Sequence, residues 1–232
     1  MTEQTFAVAG AGSRDGACDP ATRVTKSLLG YGVIAGPAYV LVSLTEAMTR
    51  DGFDLTRHAW SMLSNGDLGW IHITTLVVTG LMIIAFAAGL RRSLRPGRGG
   101  TWAPRLVAAY GVSLVAAGAF RADPGLGFPV GTPEGPGPVS WHGLLHFASG
   151  GVGFTCLVAA CLVIAARFSA EGRRGWARLS RVTGVVFAAC FLAMASGSGG
   201  TPALLAFTAA VVLSCAWLAA VAAHLYGRVA GR

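Results

Sequence analysis

The stretch WIHITTLVVTGLMIIAFAAGLRR, residues 70–92, shows the pattern that decides the fold. Up to residue 90 it contains a single ionisable side chain, that of His72. About 20 apolar residues in an α-helix cross the hydrocarbon core of a bilayer, which is roughly 30 Å thick. The two arginines that end the run are typical of the cytoplasmic end of such a helix. The stretch therefore predicts a membrane-spanning helix.

The composition of the whole chain supports this prediction. The 232 residues are 53% hydrophobic and only 12% charged, whereas soluble domains carry about 25% charged residues. The formal net charge of +8 does not indicate nucleic-acid binding, because the arginines lie in short segments between apolar runs. Four of the five cysteines lie inside those runs, so no disulfide framework or thiolate metal site is expected.

The same pattern recurs along the chain and predicts six spans, at about residues 28–49, 70–90, 106–120, 141–167, 182–196 and 203–225. We expect an all-α, multi-pass bundle in the cell membrane over residues 27–227, with a disordered tail at 1–26 and a short tail at 228–232. Arginine and lysine concentrate in the two tails and in the loops after the second and fourth spans. The positive-inside rule therefore predicts that both termini are cytoplasmic.

The stretch GAFRADPGLGFPVGTPEGPGPVSWHGLLHFASG, residues 118–150, is the best functional lead. It places Asp123, a Pro/Gly-rich loop, His142 and His146 between two apolar spans. The predicted topology puts this stretch on the outer side of the membrane. The same side receives further ionisable residues of the chain, among them Glu46, His58, Asp67 and His72.

One hypothesis from these residues is metal-assisted hydrolysis. His142 and His146 are four residues apart and therefore share one face of a helix. Helical zinc sites use two imidazoles at this spacing, and His58 is the candidate third ligand. Asp123 would then act as the general base beside a metal-bound water. Zinc is the only cofactor that the sequence brings into consideration.

A second hypothesis is acid–base chemistry without a metal. A partly desolvated carboxyl group can act as a general acid, and the candidates are Asp123, Glu46 and Asp67. Such an acid could protonate an alkene or epoxide of a prenyl chain and start its cyclisation. We expect a lipidic or isoprenoid substrate, because aromatic side chains near the loop could stabilise a developing cation. The candidate substrate-binding residues are Phe120, Phe128, Trp141 and Phe147.

A non-enzymatic role fits the same sequence. The chain could be a small transporter, a sensor or an accessory subunit, although no charged residue is predicted at the middle of a span, where coupling sites usually lie. The candidate residues could also be structural. His142 and His146 could cap the fourth span, and Asp123 followed by Pro124 is a common start of a turn.

Four blocks of the sequence resemble a known family. They are RHAWSMLSNGDLGWI at 57–71, GLMIIAFAAGLRR at 80–92, GAFRADPGLGFPVG at 118–131 and HGLLH at 142–146. Together they resemble the domain-of-unknown-function 998 family of bacterial membrane proteins. The resemblance implies six to seven spans and no particular activity. Arg121 and Ala122 depart from that pattern, which leads us to expect a Pro or a small residue before Asp123.

A looser similarity concerns the candidate site alone. Seven-span membrane hydrolases typified by alkaline ceramidases and adiponectin receptors use Ser, Asp and three His around zinc. The corresponding residue types here are Ser61, Asp123, His58, His142 and His146. The residue order and the number of spans differ from that group, so the similarity is an analogy between sites and says nothing about the fold.

Overall fold

A computed structural model describes residues 19–197 and 200–230 of the chain. The regular structure in these residues is helical, which confirms the prediction of an all-α fold. A short 3-10 helix, Trp60–Ser64, follows the first long helix. The six long helices are α1 (Pro20–Thr49), α2 (Gly69–Leu94), α3 (Trp102–Ala119), α4 (Trp141–Ala170), α5 (Arg174–Ala195) and α6 (Gly200–Ala230).

Five of these helices, α1, α2, α4, α5 and α6, are long and apolar enough to cross a membrane. The chain is therefore a multi-pass membrane protein. The remaining helix, α3, has 18 residues and a predicted length of about 27 Å. Its first turn contains Pro104 and Arg105, which lower its apolar character.

The predicted disordered tail at residues 1–26 is wrong at its C-terminal end. Residues 1–18 lie outside the described part of the chain, but α1 already begins at Pro20. The Asp19 side chain accepts a hydrogen bond from the backbone N–H of Thr22, and proline is favoured at a first helical position. Residues 228–230, which we assigned to the C-terminal tail, continue α6.

The six helices form a closed ring in which each helix packs against its neighbours in sequence and α6 returns to α1. Three glycines mark places where the backbones of packed helices lie too close together to leave room for a Cβ. A Cβ at Gly80 would lie 2.5 Å from the carbonyl oxygen of Gly111, and one at Gly36 would lie 2.7 Å from that of Cys215. A Cβ at Gly111 would in turn lie 2.7 Å from the Gly80 oxygen. Small residues at these positions let membrane helices approach closely.

The ring has two chemically different ends. We call the end with the starts of α1, α3 and α5 the basic end, and the opposite end, with segments 50–68 and 120–140, the loop end. Within the described residues, Asp19 and Glu171 are the acids of the basic end. The cations of the basic end are Arg23, Lys26, Arg91, Arg92, Arg95, Arg98, Arg105, Arg167, Arg173, Arg174, Arg178, Arg181 and Arg228.

Candidate functional site

A cavity of about 140 Å³ lies inside the ring and touches all six helices and the 3-10 helix. Its lining on α6 extends over residues 207–218, which corresponds to about 16 Å along the helix axis. An apolar cavity of about 150 Å³ is large enough to bind benzene, so this cavity could hold part of a hydrocarbon chain or ring. Its apolar lining includes Leu76, Ile83, Leu114, Phe147, Phe154, Phe207, Val211 and Leu218.

Apart from one histidine, the described residues that line the cavity have uncharged side chains. Among the described residues that line it, none is Asp, Glu, Lys or Arg. Three of its hydroxyl groups are already engaged, because Ser113, Thr208 and Ser214 donate hydrogen bonds to carbonyl oxygens of their own helices. Among the polar residues that remain is His146.

His146 is fixed by the C-terminal end of α3. Its Nδ1 lies 3.1 Å from the carbonyl oxygen of Ala117 and 2.9 Å from that of Phe120. Carbonyl oxygens only accept hydrogen bonds, so Nδ1 carries the proton and donates it to this pair. In the neutral ring the other nitrogen, Nε2, has a free lone pair. Among the described residues no hydrogen bond engages Nε2, and the residue lines the cavity.

The predicted substrate-binding residues do not form one surface. Phe147 lines the cavity and is 65% exposed, so it stands where the cavity meets the outside. Phe128 is buried under the loops against Phe53 and His58. Trp141 is 62% exposed at the start of α4, and its edge contacts the ring of Phe120. Of these four, Phe147 is the one that the structure brings to the cavity.

Asp123 organises the start of α4. One carboxylate oxygen accepts from the backbone N–H of Ser140 at 2.8 Å, and the other accepts from the Ser140 hydroxyl at 2.5 Å. That hydroxyl accepts in turn from the backbone N–H of Gly143 at 3.1 Å, which makes Ser140 the N-cap. A carboxylate is favourable at a helix N-terminus. Both carboxylate oxygens of Asp123 are thus engaged by Ser140, and Asp123 is not part of the cavity lining.

The zinc site that we predicted from His58, His142 and His146 is not assembled in this fold. His142 is exposed and its ring lies against that of Trp141, with 3.5 Å between ring centroids. Both nitrogens of the buried His58 have protein partners, as described below. No group of three or more His, Cys, Asp or Glu side chains in the described parts of the chain is arranged to hold a metal ion. The donor set does not fit zinc.

His58 joins the two long segments of the loop end. Its Nδ1 accepts from the backbone N–H of Asp54 at 2.9 Å, so Nε2 carries the proton and donates to the carbonyl oxygen of Leu126 at 3.0 Å. An ion pair between Arg57 and Glu134, 2.6 Å apart, also connects these segments. The carboxylate of Asp54 accepts hydrogen bonds from the backbone and the hydroxyl of Thr56, which hold the pKa of Asp54 below its ordinary value.

Glu46 belongs to a buried charge cluster rather than to the cavity. Its Oε2 lies 3.1 Å from Nδ1 of His72, and its Oε1 lies 3.4 Å from Nη1 of Arg50. Arg50 also donates to the carbonyl oxygens of Leu63 and Asn65. Paired charges of this kind position helix ends and loops, because an unpaired buried charge is very costly. The last predicted acid, Asp67, is exposed in the turn before α2.

Sequence reasoning missed two parts of this arrangement. His72, at the start of the second predicted span, is fully buried and pairs with Glu46. Glu46 in the last turn of another span was a usable signal, since a buried acid needs a partner. Tyr39 and Tyr110 line the cavity from the middle of α1 and α3. Their isolated hydroxyl groups within apolar runs also pointed to an internal site.

Comparisons with known proteins identify a family and no activity. A family model described as "Protein of unknown function (DUF998)" matches residues 33–224, and this match confirms the resemblance seen in the sequence. No curated protein and no solved structure matches the chain at a significant level.

Proposed function

The chain belongs to the DUF998 family, whose description names no activity, and we propose a function from the cavity. We propose that the protein binds a hydrophobic small molecule, lipidic or isoprenoid, inside its helix ring. The observation that carries this proposal is a largely apolar cavity inside the ring whose lining includes His146, a side chain held in place by two carbonyl oxygens. Ligand sites are typically concave and apolar with a few fixed polar groups.

The proposed setting is the cell membrane, with six spans and both termini in the cytoplasm. The charge difference between the two ends of the ring supports this orientation, because cytoplasmic segments of membrane proteins are rich in Arg and Lys. The loop end would then face outward, and the cavity would open near Phe147 within the outer half of the bilayer. A molecule dissolved in that half of the bilayer could enter without crossing water.

Photoaffinity labelling tests this proposal. We expect an isoprenoid that carries a diazirine to label the cavity lining of the purified protein in nanodiscs, with the modification assigned by fragment-ion spectra to Phe154 or Phe207. Excess unlabelled isoprenoid should abolish that labelling. The reference positions are Val152 and Val185, apolar residues that are exposed on the outside of the ring. Labelling confined to such exposed positions, unchanged by competitor, would contradict binding in the cavity.

A second candidate function is an enzyme that acts on a lipidic or isoprenoid substrate in the same cavity. The imidazole of His146 in the lining favours it, because histidine is the side chain that most often acts as a general base. The lining offers no carboxyl group among the described residues, so the candidate is a base-catalysed reaction rather than acid-initiated cyclisation. Chemical conversion of the bound isoprenoid, followed by mass spectrometry, would identify an enzyme. Binding without conversion fits a sensor, a small transporter or an accessory subunit.

A further inference from the structure

We infer that the molecule bound in the cavity is a neutral alcohol whose hydroxyl group donates a hydrogen bond to Nε2 of His146. This inference rests on the proposed function and narrows the class of ligand. It excludes fatty acids and phosphorylated lipids as preferred occupants, and it also ranks ethers and esters below alcohols. Three features of the cavity lead to it.

The first feature is the direction of the hydrogen bond that His146 can make. Its Nδ1–H is held by two carbonyl oxygens, those of Ala117 and Phe120. If the ring were rotated by half a turn, or if Nδ1 carried no proton, the two carbonyl oxygens would lose their hydrogen-bond donor. Buried carbonyl groups without a donor are unfavourable. With the Nδ1–H held in this way, the neutral ring offers Nε2 to a ligand only as an acceptor. A ligand group that only accepts, such as an ether oxygen or a ketone, gains nothing from it.

The second feature is the absence of charge in the lining. None of the described lining residues is Asp, Glu, Lys or Arg. An anion would lose its hydration without gaining a lysine or arginine as a partner. Glu46, near the end of α1, is outside the lining and is paired with Arg50 and with His72. A neutral polar group is therefore favoured.

The third feature is the distribution of polar groups along the cavity. His146 and Ser61 lie toward the loop end, on the first turns of α4 and in the 3-10 helix, respectively. Among the described residues no hydrogen bond engages the Ser61 hydroxyl, which is a second group available to a ligand at this end of the cavity. Toward the basic end the lining is formed by Ile83, Phe154 and Leu218. The ligand would lie with its hydroxyl at the loop end and its hydrocarbon part directed inward.

A set of matched competitors tests this inference. A tritium-labelled prenyl hydrocarbon serves as tracer for protein in phosphatidylcholine nanodiscs, because it has no hydrogen-bonding group. The competitors share one prenyl chain and end in a hydroxyl, a methyl ether or a carboxylate. Their partitioning into protein-free nanodiscs is measured in parallel. We expect the alcohol to displace the tracer at about five- to ten-fold lower concentration than the ether, as one net hydrogen bond predicts, and the carboxylate to be weakest.

Two variants of α4 locate the effect. In His146→Leu, the alcohol and the ether should displace the tracer at about equal concentrations. In His142→Leu, which changes an exposed histidine one turn away, the preference should persist. Equal displacement by alcohol and ether in the wild-type protein would overturn the inference, and this comparison needs no variant. A preference that survives His146→Leu would also overturn it. Absence of any tracer binding would instead contradict the proposed function itself.

Discussion

At the scale of single residues, Asp123 is a structural group, and its removal should affect stability more than ligand binding. Its carboxylate accepts two hydrogen bonds from Ser140, which caps α4. Asp123→Ala leaves the backbone N–H and the hydroxyl of Ser140 without this acceptor, so we expect a loss of about 1–3 kcal/mol in the free energy of unfolding. Chemical unfolding of the purified protein in micelles measures this loss.

The matched control at the same end of the molecule is Asp67→Ala. Asp67 is exposed, and its replacement should change the free energy of unfolding by about 0.5 kcal/mol or less. Both variants should still bind the isoprenoid tracer. If Asp123→Asn abolished tracer binding or turnover while the stability stayed at the wild-type value, Asp123 would have the catalytic role that the sequence first indicated.

The same residues show how far the sequence could predict the site. The pattern in residues 118–150 identified His146, because a histidine beside a long apolar run is uncommon. It could not separate His146 from His142, since both lie on one helix face. The difference arises from the position of α4: its first turn extends to the surface, whereas the next turn meets the final carbonyl groups of α3. Contacts between helices, which periodicity does not specify, also pair Glu46 with His72.

At the scale of the elements, α3 decides between five and six spans. It is short and contains Arg105, but it packs between α2 and α4 within the ring. An arginine near a helix end can extend its charged group to the membrane surface, so we expect α3 to cross the membrane. The test replaces Thr101 or Arg121, exposed residues on either side of α3, with cysteine in a protein that lacks its native cysteines.

A membrane-impermeant maleimide should label the cysteine at position 121 in cells whose cell wall or outer membrane has been removed and whose inner membrane is intact. The cysteine at position 101 should react only after the membrane is permeabilised. Asp67→Cys, in the loop end ahead of α2, is the reference and should react like position 121. Labelling of positions 101 and 121 from the same side would mean that α3 does not cross, and the six-span arrangement with both termini in the cytoplasm would be wrong.

At the scale of the whole molecule, the overall architecture followed from sequence and the cavity did not. Apolar runs and charge alternation predict helices and their order, since burial in a bilayer depends on composition alone. A cavity depends on which side chains fill the centre of the ring. Here Gly36, Gly150, Ser113 and Ser214 contribute small groups at its lining, whereas large groups such as Phe86 and Phe187 fill the core elsewhere.

Binding of a hydrophobic molecule in the cavity is tested most directly by filling the cavity without changing the fold. Gly150 lines the cavity, and a Cβ there would meet only Phe154, at 3.7 Å, within the described structure. Its neighbour Gly151 faces open space and is absent from the lining. Both positions lie on α4, so leucine at either one gains the same helix propensity.

The measurement is binding of the tritium-labelled prenyl hydrocarbon to Gly150→Leu and Gly151→Leu, both checked to unfold at the wild-type temperature or above. We expect Gly150→Leu to lose at least about ten-fold in affinity for the tracer, because about 1.4 kcal/mol or more of contact is blocked. We expect Gly151→Leu to bind the tracer like the wild-type protein. Equal binding by the two variants would contradict binding in the cavity.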